Sequence, residues 1–264
     1  MSPGPQPADV FVLDLTRNAI QLRLTSQPDQ IKAGVIWSPD GQRVAFGAGS
    51  LPRLQGGGIY VVPVTGTGKP ELLYTAQGGQ RPTSYSPDGR VLAFNQLSAN
   101  LHRDIWLLAL SGERTGTAWV QSTDNHDQAT FSPDGRWMAY VSDKGGPGDV
   151  YVRAIDGDRE WPVSQNGGNA PLWRADGKEL FYWNFATRSL MAVPISSAPT
   201  FEPGAPVKLF TTPRLRGLGI GQYSVAPDGQ RFVILELDAI DAQSAETQSP
   251  IEVILNWTDA LNKR

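Results

Sequence analysis

Residues 37–46, with the sequence WSPDGQRVAF, decide the fold, because four close copies of this stretch follow along the chain. The copies are YSPDGRVLAF (85–94), FSPDGRWMAY (131–140), WRADGKELFY (173–182) and VAPDGQRFVI (225–234). Their turn aspartates stand at positions 40, 88, 134, 176 and 228, which are 48, 46, 42 and 52 residues apart. A period of about 40–50 residues is typical of four-stranded propeller blades. The repeat therefore outranks local propensities and predicts a β-propeller.

Each copy predicts a tight turn between two antiparallel strands. Ser38 bonds back to the backbone, Pro39 presets φ, and Gly41 accepts the left-handed conformation that this turn requires. Metal binding is a weaker interpretation, because calcium takes about six to eight oxygen ligands and each turn offers one carboxylate. Arg174 and Ala226 replace the serine in the last two copies, so we expect looser corners there. The residues assigned to structural turns are Asp40, Gly41, Asp88, Gly89, Asp134, Gly135, Asp176, Gly177, Asp228 and Gly229.

Apolar residues alternate in and around the copies, which favours strands over helices. The predicted fold is all-β, a β-propeller of four-stranded antiparallel blades with five recognisable blades and an N-terminal partial blade. Residues 1–264 form one domain on this interpretation, because a repeat array is built by stacking. The partial blade covers residues 9–25, and the blades cover approximately 32–75, 81–122, 128–164, 170–211 and 222–257.

The strand count leaves the two ends of the chain unmatched. The N-terminus supplies outer strands without inner ones, and the C-terminus supplies a blade without its outermost strand. In one arrangement, residues 20–25 complete the last blade and close a five-bladed ring, which leaves residues 9–15 as a surplus edge strand. In the other, the chain is the C-terminal part of a longer propeller. We favour the second, since an unpaired edge strand promotes aggregation.

Two further segments of the C-terminal region carry local predictions. Residues 238–249, DAIDAQSAETQS, are acidic and polar, which predicts a mobile external loop. Residues 258–264 follow the last predicted strand, and Thr258 is a suitable N-cap for one helical turn there.

Composition excludes several classes of function. The chain has 23 Lys and Arg against 26 Asp and Glu, a net charge of −3, so no basic excess exists to hold nucleic acid. No apolar run approaches about 18 residues, which predicts no membrane insertion by this chain. The N-terminus lacks the charged and apolar regions of a signal peptide. The chain has no cysteine, which excludes disulfides, thiolate catalysis and cysteine-ligated zinc, while the compartment stays open.

Three features carry a family resemblance: the pattern SPDGxxxAF, a following DIW (104–106) or DVY (149–151), and a later strand ending in Thr or Ser. Over residues 9–257 the chain resembles the TolB-type, WD40-like β-propeller repeat family. The segment IEVILNWTDAL (251–261) is similar to the C-terminus of propellers attached to bacterial serine/threonine kinases or membrane-linked transcriptional regulators. The resemblance implies a sensory or protein-binding module, periplasmic if the chain ends a membrane receptor. The sequence has no kinase motif and no winged helix, so those activities do not carry over.

Candidate chemistry is sparse. The Gly-x-Ser-x-Gly motif of α/β-hydrolases does not occur. Residues 124–127, Asp-Asn-His-Asp, form the only cluster of ligand-like residues, and Asp124, His126 and Asp127 are a weak candidate for a metal or hydrolytic site. The alternative is an ordinary connection capped by local Asp and Asn bonds, which we favour. No cofactor is expected.

The connections between blades all emerge on one face in a propeller, opposite the repeated turns, and converge towards its centre. The aromatic residues before the turns, Trp37, Tyr85, Phe131 and Trp173, recur at one repeat position and are expected in the core between blades. Polar side chains on the connections suit a polar ligand or a peptide. The candidate ligand- or partner-binding residues are Gln30, Gln80, Arg81, Asp124, Asn125, His126, Asp127, Asn169, Arg214 and Arg216.

Three functions remain open. The favoured one is a non-catalytic module, a sensor or scaffold, that binds a protein or peptide partner or a polar small ligand. The alternative is the accessory propeller of an enzyme, such as a kinase or a prolyl-oligopeptidase-like hydrolase, whose catalytic domain lies outside this sequence. The least favoured is a metal-dependent hydrolase or lyase that works from the channel face.

Overall fold

The computed structural model describes residues 9–14, 19–26, 30–50, 55–197, 200–211, 223–234 and 252–254. Within these ranges the chain forms antiparallel β-sheets and no helix, which confirms the predicted all-β propeller class. No helix in this part of the chain is long and apolar enough to cross a membrane. The predicted loop at 238–249, the predicted helical turn at 258–264, Arg214 and Arg216 lie outside the described residues.

The first three sheets are the partial blade and blades one and two. The partial blade is the hairpin β1 (Phe11–Asp14) and β2 (Ala19–Arg23). The strands of blade one pair in chain order: β3 (Ile31–Trp37), β4 (Arg43–Ser50), β5 (Gln55–Pro63) and β6 (Glu71–Tyr74). Those of blade two do the same: β7 (Gln80–Tyr85), β8 (Val91–Leu97), β9 (Arg103–Ala109) and β10 (Gly116–Val120).

The remaining sheets are blades three, four and five. Blade three has β11 (His126–Phe131), β12 (Trp137–Ser142), β13 (Asp149–Ala154) and β14 (Glu160–Pro162). Blade four has β15 (Asn169–Trp173), β16 (Glu179–Asn184), β17 (Ser189–Ser196) and β19 (Val207–Thr211), and the short β18 (Glu202–Pro203) also pairs with β17. The described part of blade five has β20 (Tyr223–Val225), β21 (Phe232–Ile234) and β22 (Glu252–Ile254).

Contacts divide the chain into two compact units, Met1–Ala129 and Thr130–Arg264. In the first unit, β4 is buried along six consecutive residues, because neighbouring sheets cover both of its faces. Val10 and Phe46 belong to the core between the partial blade and blade one, and Ile59 and Phe94 to the core between blades one and two. Full burial of such a side chain contributes about 1.5–3 kcal/mol, so these layers hold the unit together.

The backbone of the repeated turns is nearly identical in all five copies. The glycine N–H donates to the carbonyl three residues earlier, and the first turn residue donates to the carbonyl five residues later, all at 2.8–2.9 Å. The glycines have φ between 68° and 72°. Arg174 replaces the serine bond of the earlier copies with a bond from Nε to Asp176 Oδ1 at 2.6 Å. The prediction that the last two corners are looser is therefore wrong for the backbone, whose bonds do not depend on the serine.

The five turn aspartates all make the same local bond. Each accepts the backbone N–H of the residue two positions later at 2.9–3.1 Å. In the first three copies the serine Oγ also donates to the aspartate at 2.5–2.6 Å. These bonds account for the aspartates as turn residues and leave the corners without an assembled metal site among the described residues.

An aromatic cluster fills the space between blades three and four in the second unit. Phe201, on the connection after β17, is 1% exposed. Its ring centroid lies 4.9 Å from that of Trp137, 5.4 Å from that of Trp161 and 6.4 Å from that of Trp173. The sequence analysis predicted that Trp173 lies in such a core but assigned no role to Phe201. Phe201 lies on a connection between strands and contacts all three tryptophans.

Trp37 departs from the prediction that the aromatic residue before each turn is core. Phe131 is buried, and Tyr85 and Trp173 are half-buried against core clusters. Trp37, at the end of β3, is 53% exposed, and Val35 on the same strand is 46% exposed. The described strands of the partial blade pack against β4 and β5 through Val12 and Leu22 and do not cover Trp37. The prediction for Trp37 is therefore wrong.

Candidate binding cleft between blades one and two

A cleft of about 340 Å³ lies where blade one meets the start of blade two. Its residues come from the start of β3, the start of β7, the end of β8 and the start of β9. The cleft is therefore at the end of blade two opposite its repeated turn at 86–89, on the side where the sequence predicted a binding face. It is lined by Ile31, Ala33, Gly79, Arg81, Asn95, Leu97, Leu101 and Arg103.

Two glycines set the distance between the walls of the cleft. A Cβ on Gly34 would lie 2.3 Å from the carbonyl oxygen of Pro82, and one on Gly47 would lie 2.2 Å from that of Gln80. Gly34 also has φ of +63°, at the register shift between β3 and β4. Only glycine permits this approach of β3 and β4 to β7, because the obstructing atoms belong to the backbone.

Gln80 shapes the connection that enters β7. The side chain is fully buried, and its Nε2 donates to the carbonyls of Ala76 at 3.0 Å and Gly78 at 2.7 Å. The sequence placed Gln80 on the binding face, whereas the structure uses its amide to hold residues 76–79 in place. Gln80 is therefore a positioning residue beneath the cleft.

Asn95 joins the floor of the cleft to the first strand of the next blade. It is 3% exposed, its Nδ2 donates to the carbonyl of His126 at 2.9 Å, and its Oδ1 accepts the N–H of Gln128 at 3.4 Å. An amide fits here because it can donate to the buried carbonyl and accept from the N–H, which it shares with Asp127 Oδ1 at 2.7 Å. Asn95 therefore fixes the connection at 124–127 against blade two.

Arg103 forms the other side of this junction. Its backbone N–H donates to Asn125 Oδ1 at 3.1 Å, and its Nε lies 3.0 Å from Asp127 Oδ2. The arginine side chain is 52% exposed and that of Asp127 is 15% exposed. A guanidinium has five N–H donors, so the ion pair through Nε leaves the terminal nitrogens of Arg103 for other acceptors.

Arg81 enters the cleft with its charge uncompensated. Its Nε is buried and makes no hydrogen bond within the part of the chain that the structure describes. The salt bridges of the described residues do not include Arg81 either. Burying a charged donor without an acceptor costs free energy, about 1–3 kcal/mol or more. A guanidinium held in this way is prepared to receive an acceptor from outside.

Leu101 supplies an exposed apolar group at the rim. It is 54% exposed and has φ of +67°, a conformation that costs a non-glycine residue roughly 1–2 kcal/mol. The turn around it is held by Ser98, whose carbonyl accepts the N–H of Leu101 at 3.0 Å and whose Oγ accepts the N–H of His102 at 3.1 Å. The turn thus presents a leucine to solvent in a strained backbone.

The candidate metal cluster is not assembled. His126 is 3% exposed, and its Nε2 lies 2.8 Å from Ser122 Oγ, which also accepts the N–H of Asp124 at 2.9 Å. Asp127 is paired with Arg103. In the described part of the chain, no three His, Cys, Asp or Glu side chains are grouped so that they could hold a metal ion. His126 and the two aspartates instead stabilise the connection.

An acidic residue below this connection has a perturbed pKa. Asp104, the aspartate of the DIW segment, is 4% exposed. Burial raises the pKa of Asp104 above its ordinary value, and hydrogen bonds from the Gln121 side chain and the Ser122 N–H offset only part of that effect. In blade three the equivalent Asp149 accepts Ser164 Oγ at 2.7 Å and the N–H of Gly167 at 3.0 Å through one oxygen.

The repeat that builds these blades is that of a known family. The TolB β-propeller domain model matches residues 36–202, more than half of the chain. The chain belongs to the TolB β-propeller domain family. The match begins in β3 and ends in β18, so it includes the whole cleft apart from Ile31 and Ala33.

Three relatives of this TolB-type propeller illustrate the range of similarity. TolB from Acinetobacter baumannii has a TM-score of 0.69 and 22% identity, over 86% of this chain and 53% of that one, which shows the fold alone. Tricorn protease homolog 1 of Streptomyces coelicolor is 30% identical over 46% of this chain. The uncharacterised peptidase YuxL of Bacillus subtilis is 27% identical over 36% of it. The chain spans only 12% and 16% of these two curated relatives.

The other predicted residues of the TolB-type propeller lie apart from the cleft or outside the described chain. The carbonyl of Gln30 accepts Lys32 Nζ at 3.0 Å, next to the ion pair between Lys32 and Asp9. Asn169 pairs with Trp183 between β15 and β16 in the second unit. Of the ten predicted residues, Arg81 lines the cleft. The cluster at 124–127 contacts the cleft residue Arg103 through Asn125 and Asp127.

Of the eight residues that line the cleft, sequence reasoning found only Arg81, and the most informative of the seven that it missed are Asn95, Leu101 and Arg103. Asn95 and Gln96 interrupt the apolar run of β8, and this polar pair near the end of a buried strand was the available signal. Leu101 stands in the connection at 98–102, where nothing in its sequence indicates a positive φ. Arg103 follows in the next strand, and its pairing with Asp127 crosses a separation that no local pattern reveals.

Proposed function

We propose that this TolB-type propeller is a non-catalytic sensor or scaffold module, without a cofactor, that binds a protein or peptide partner through the cleft between blades one and two. The observation that carries the proposal is Arg81, which lines the cleft and whose buried Nε has no acceptor within the described residues. A donor that the fold leaves unsatisfied gains most from a ligand, because binding removes an existing desolvation cost.

The neighbouring residues support binding over catalysis. The polar groups of Asn95, Asn125 and Asp127 are occupied by contacts that hold the connection, and His126 is buried against Ser122. A general base has to reach a substrate proton, at about 2.6–3.2 Å or through one water. A histidine that is 3% exposed is poorly placed for that task.

The test is a binding selection with matched charge variants. A synthetic library of dodecapeptides with free C-termini is selected on the immobilised protein, on the Arg81→Gln/Arg103→Gln variant, and on the Arg90→Gln/Arg136→Gln variant. The control pair lies at the repeated turns, where Arg90 is 80% exposed and Arg136 57% exposed, and removes the same charge.

We expect a recurring peptide family on the wild type and the turn variant, and its loss on the cleft variant. A selection that enriches no family from the library, or one that enriches the same family on all three proteins, contradicts the proposal.

A second candidate function is the accessory propeller of a peptidase. It is favoured by the names of two relatives, a peptidase and a tricorn protease homolog, whose length far exceeds the part matched here. The test has two parts: reading the coding frame on both sides of residues 1–264 for a hydrolase region, and assaying the chain on aminoacyl p-nitroanilides. A hydrolase region in frame would favour this candidate, whereas turnover by the present chain that is lost in His126→Gln would contradict both functions.

A further inference from the structure

We propose that the cleft between blades one and two binds a carboxylate that has an apolar group next to it. This inference rests on the proposed function, since it names the chemistry that the same cleft would recognise. Two sources offer that chemistry: a small free acid such as an N-acylated amino acid, and the last residue of a polypeptide with its free C-terminus. The experiment below separates them.

The charge of the cleft favours an anion. Of its described lining residues, Arg81 and Arg103 are basic and none is acidic. The carboxylate of Asp127 is already paired with Arg103 through Nε. Within the described residues the Nε of Arg81 has no acceptor and the side chain forms no ion pair, so an incoming anion would meet a cation that is not yet paired.

The donor geometry favours a planar anion. Two arginines line one small space, and a guanidinium matches a carboxylate through parallel N–H bonds. Asn95, on the same wall, cannot compete for the ligand, because both ends of its amide are bonded to β11. Asn95 therefore acts as a rigid support, and the two arginines supply the contacts.

The apolar half of the cleft restricts the ligand further. Ile31, Ala33, Leu97 and Leu101 line it, and Leu101 is 54% exposed at the rim. Inorganic phosphate would gain nothing from these side chains, whereas an acid with a neighbouring aliphatic group would remove them from water. Aspartate or glutamate within a chain is less suitable, since the side chain that carries the carboxylate is then polar.

The size of the cleft sets the upper limit for what enters it. A space of about 340 Å³ lies at the small end of the range for ligand sites, roughly 300–1,000 Å³. It accommodates one residue or a short acid and excludes a folded segment. A peptide would therefore insert only its terminal residue, with the preceding residues outside.

The experiment is calorimetric titration with four probes: N-acetyl-leucine, N-acetyl-leucinamide, the peptide acetyl-Ala-Ala-Leu with a free C-terminus, and inorganic phosphate. We expect the two carboxylates to bind and the amide and phosphate not to bind at the same concentrations. If the peptide binds about tenfold more tightly than the free acid, the source is a chain terminus. Equal affinities identify a small free acid as the ligand.

Two variants test the two halves of the cleft. Arg81→Gln should weaken binding of the carboxylates by roughly tenfold to a hundredfold, because a charge-assisted contact is lost. Leu101→Gly should weaken it by about tenfold without unfolding the protein, since glycine relieves the positive φ. Arg90→Gln at the repeated turn is the matched control and should bind as the wild type does.

Three results would overturn the inference: equal binding of the acid and its amide, equal binding of phosphate, or unchanged affinity in both cleft variants. Library peptides that bind at the cleft regardless of C-terminal amidation would leave the proposed function standing and remove only this inference. A small acid that binds as described, with no peptide selected from the library, would support the inference while contradicting a protein or peptide partner.

Discussion

The two ends of blade two are built on different principles. At its repeated turn, Ser86, Asp88 and Gly89 bond to each other and to residues no more than five positions away. At the cleft end, Asn95 reaches His126 and Gln128, and Arg103 reaches Asp127, across 24 to 33 residues. Because its bonds are all local, the turn can form in any blade that has these residues. The cleft end depends on contacts between residues of different blades, so its chemistry can differ from blade to blade, which makes it the place for specificity.

The largest effect should come from the glycines that bring β3 and β4 against β7. Gly34→Ala places a Cβ 2.3 Å from a backbone oxygen at a φ of +63°, so we expect a loss of roughly 3 kcal/mol or more in the free energy of unfolding. Gly41→Ala has a similar φ of +68° with nothing within 4 Å, and should cost only about 1–2 kcal/mol. Urea denaturation measures both, and equal losses would show that the close approach is unimportant.

The next effect separates long-range from local hydrogen bonds. Asn95→Ala removes the 2.9 Å bond to the buried His126 carbonyl and a longer bond to the Gln128 N–H, which Asp127 Oδ1 also accepts at 2.7 Å, and should cost about 2–3 kcal/mol. Ser86→Ala at the repeated turn removes two part-buried local bonds, while the backbone bonds of the turn remain, and should cost about 1 kcal/mol. Thermal unfolding of the two variants compares them directly. A Ser86→Ala loss as large as that of Asn95→Ala would reverse the comparison between the two ends.

A smaller effect on stability is expected when Asp104 or Asp149 is replaced by asparagine, and for Asp104 it should depend on pH. Because burial raises the folded-state pKa of Asp104, the folded protein binds its proton more tightly than the unfolded chain does. The contribution of Asp104 to stability is therefore greatest below its unfolded pKa, and it falls as the pH rises through the folded value. Asp104→Asn should raise the melting temperature at pH 7, and this gain should shrink as the pH approaches 3.

Asp149→Asn is the matched control for that titration. Asp149 accepts two hydrogen bonds, from Ser164 Oγ and the Gly167 N–H, and charge strengthens both of them. We expect the neutral variant to be less stable at pH 7 by up to about 1 kcal/mol. If both variants shift the melting temperature in the same direction, the contrast between blades two and three is contradicted.

The smallest effect is expected at the fourth turn. The Arg174 guanidinium beside Asp176 lowers the pKa of that carboxyl to about 2, but the side chain of Asp176 is 45% exposed and solvent screens the pair. Arg174→Ser restores the serine of the earlier copies, and the backbone bonds of the turn are the same in both kinds. We expect a change of less than about 0.5 kcal/mol by urea denaturation. A larger loss would show that the arginine, not the backbone, holds this turn.

Residues within one turn explain why the fold could be predicted. Serine, aspartate and glycine at fixed spacing specify a hairpin corner through bonds that close within six positions, and the repeat then specifies the blades. Phe201 and Trp37 were missed or misplaced for the opposite reason, since their burial depends on which neighbouring strands cover them. The cluster at 124–127 was predicted because its residue types are those of ligand sites. Its partners Asn95 and Arg103 were not predicted. The chemistry of the cleft follows from those partners.

The exposed indole of Trp37 gives the molecule a natural optical reporter. Among the described tryptophans it alone is exposed, at 53%, while Trp183 is 1% exposed and the others are half-buried. Collisional quenchers such as iodide should reach it first, and the quenched fraction should disappear in Trp37→Phe. Any protein surface that binds over β3 has to remove water from this ring. Its emission would then shift to shorter wavelength, so assembly on that strand can be followed without a label.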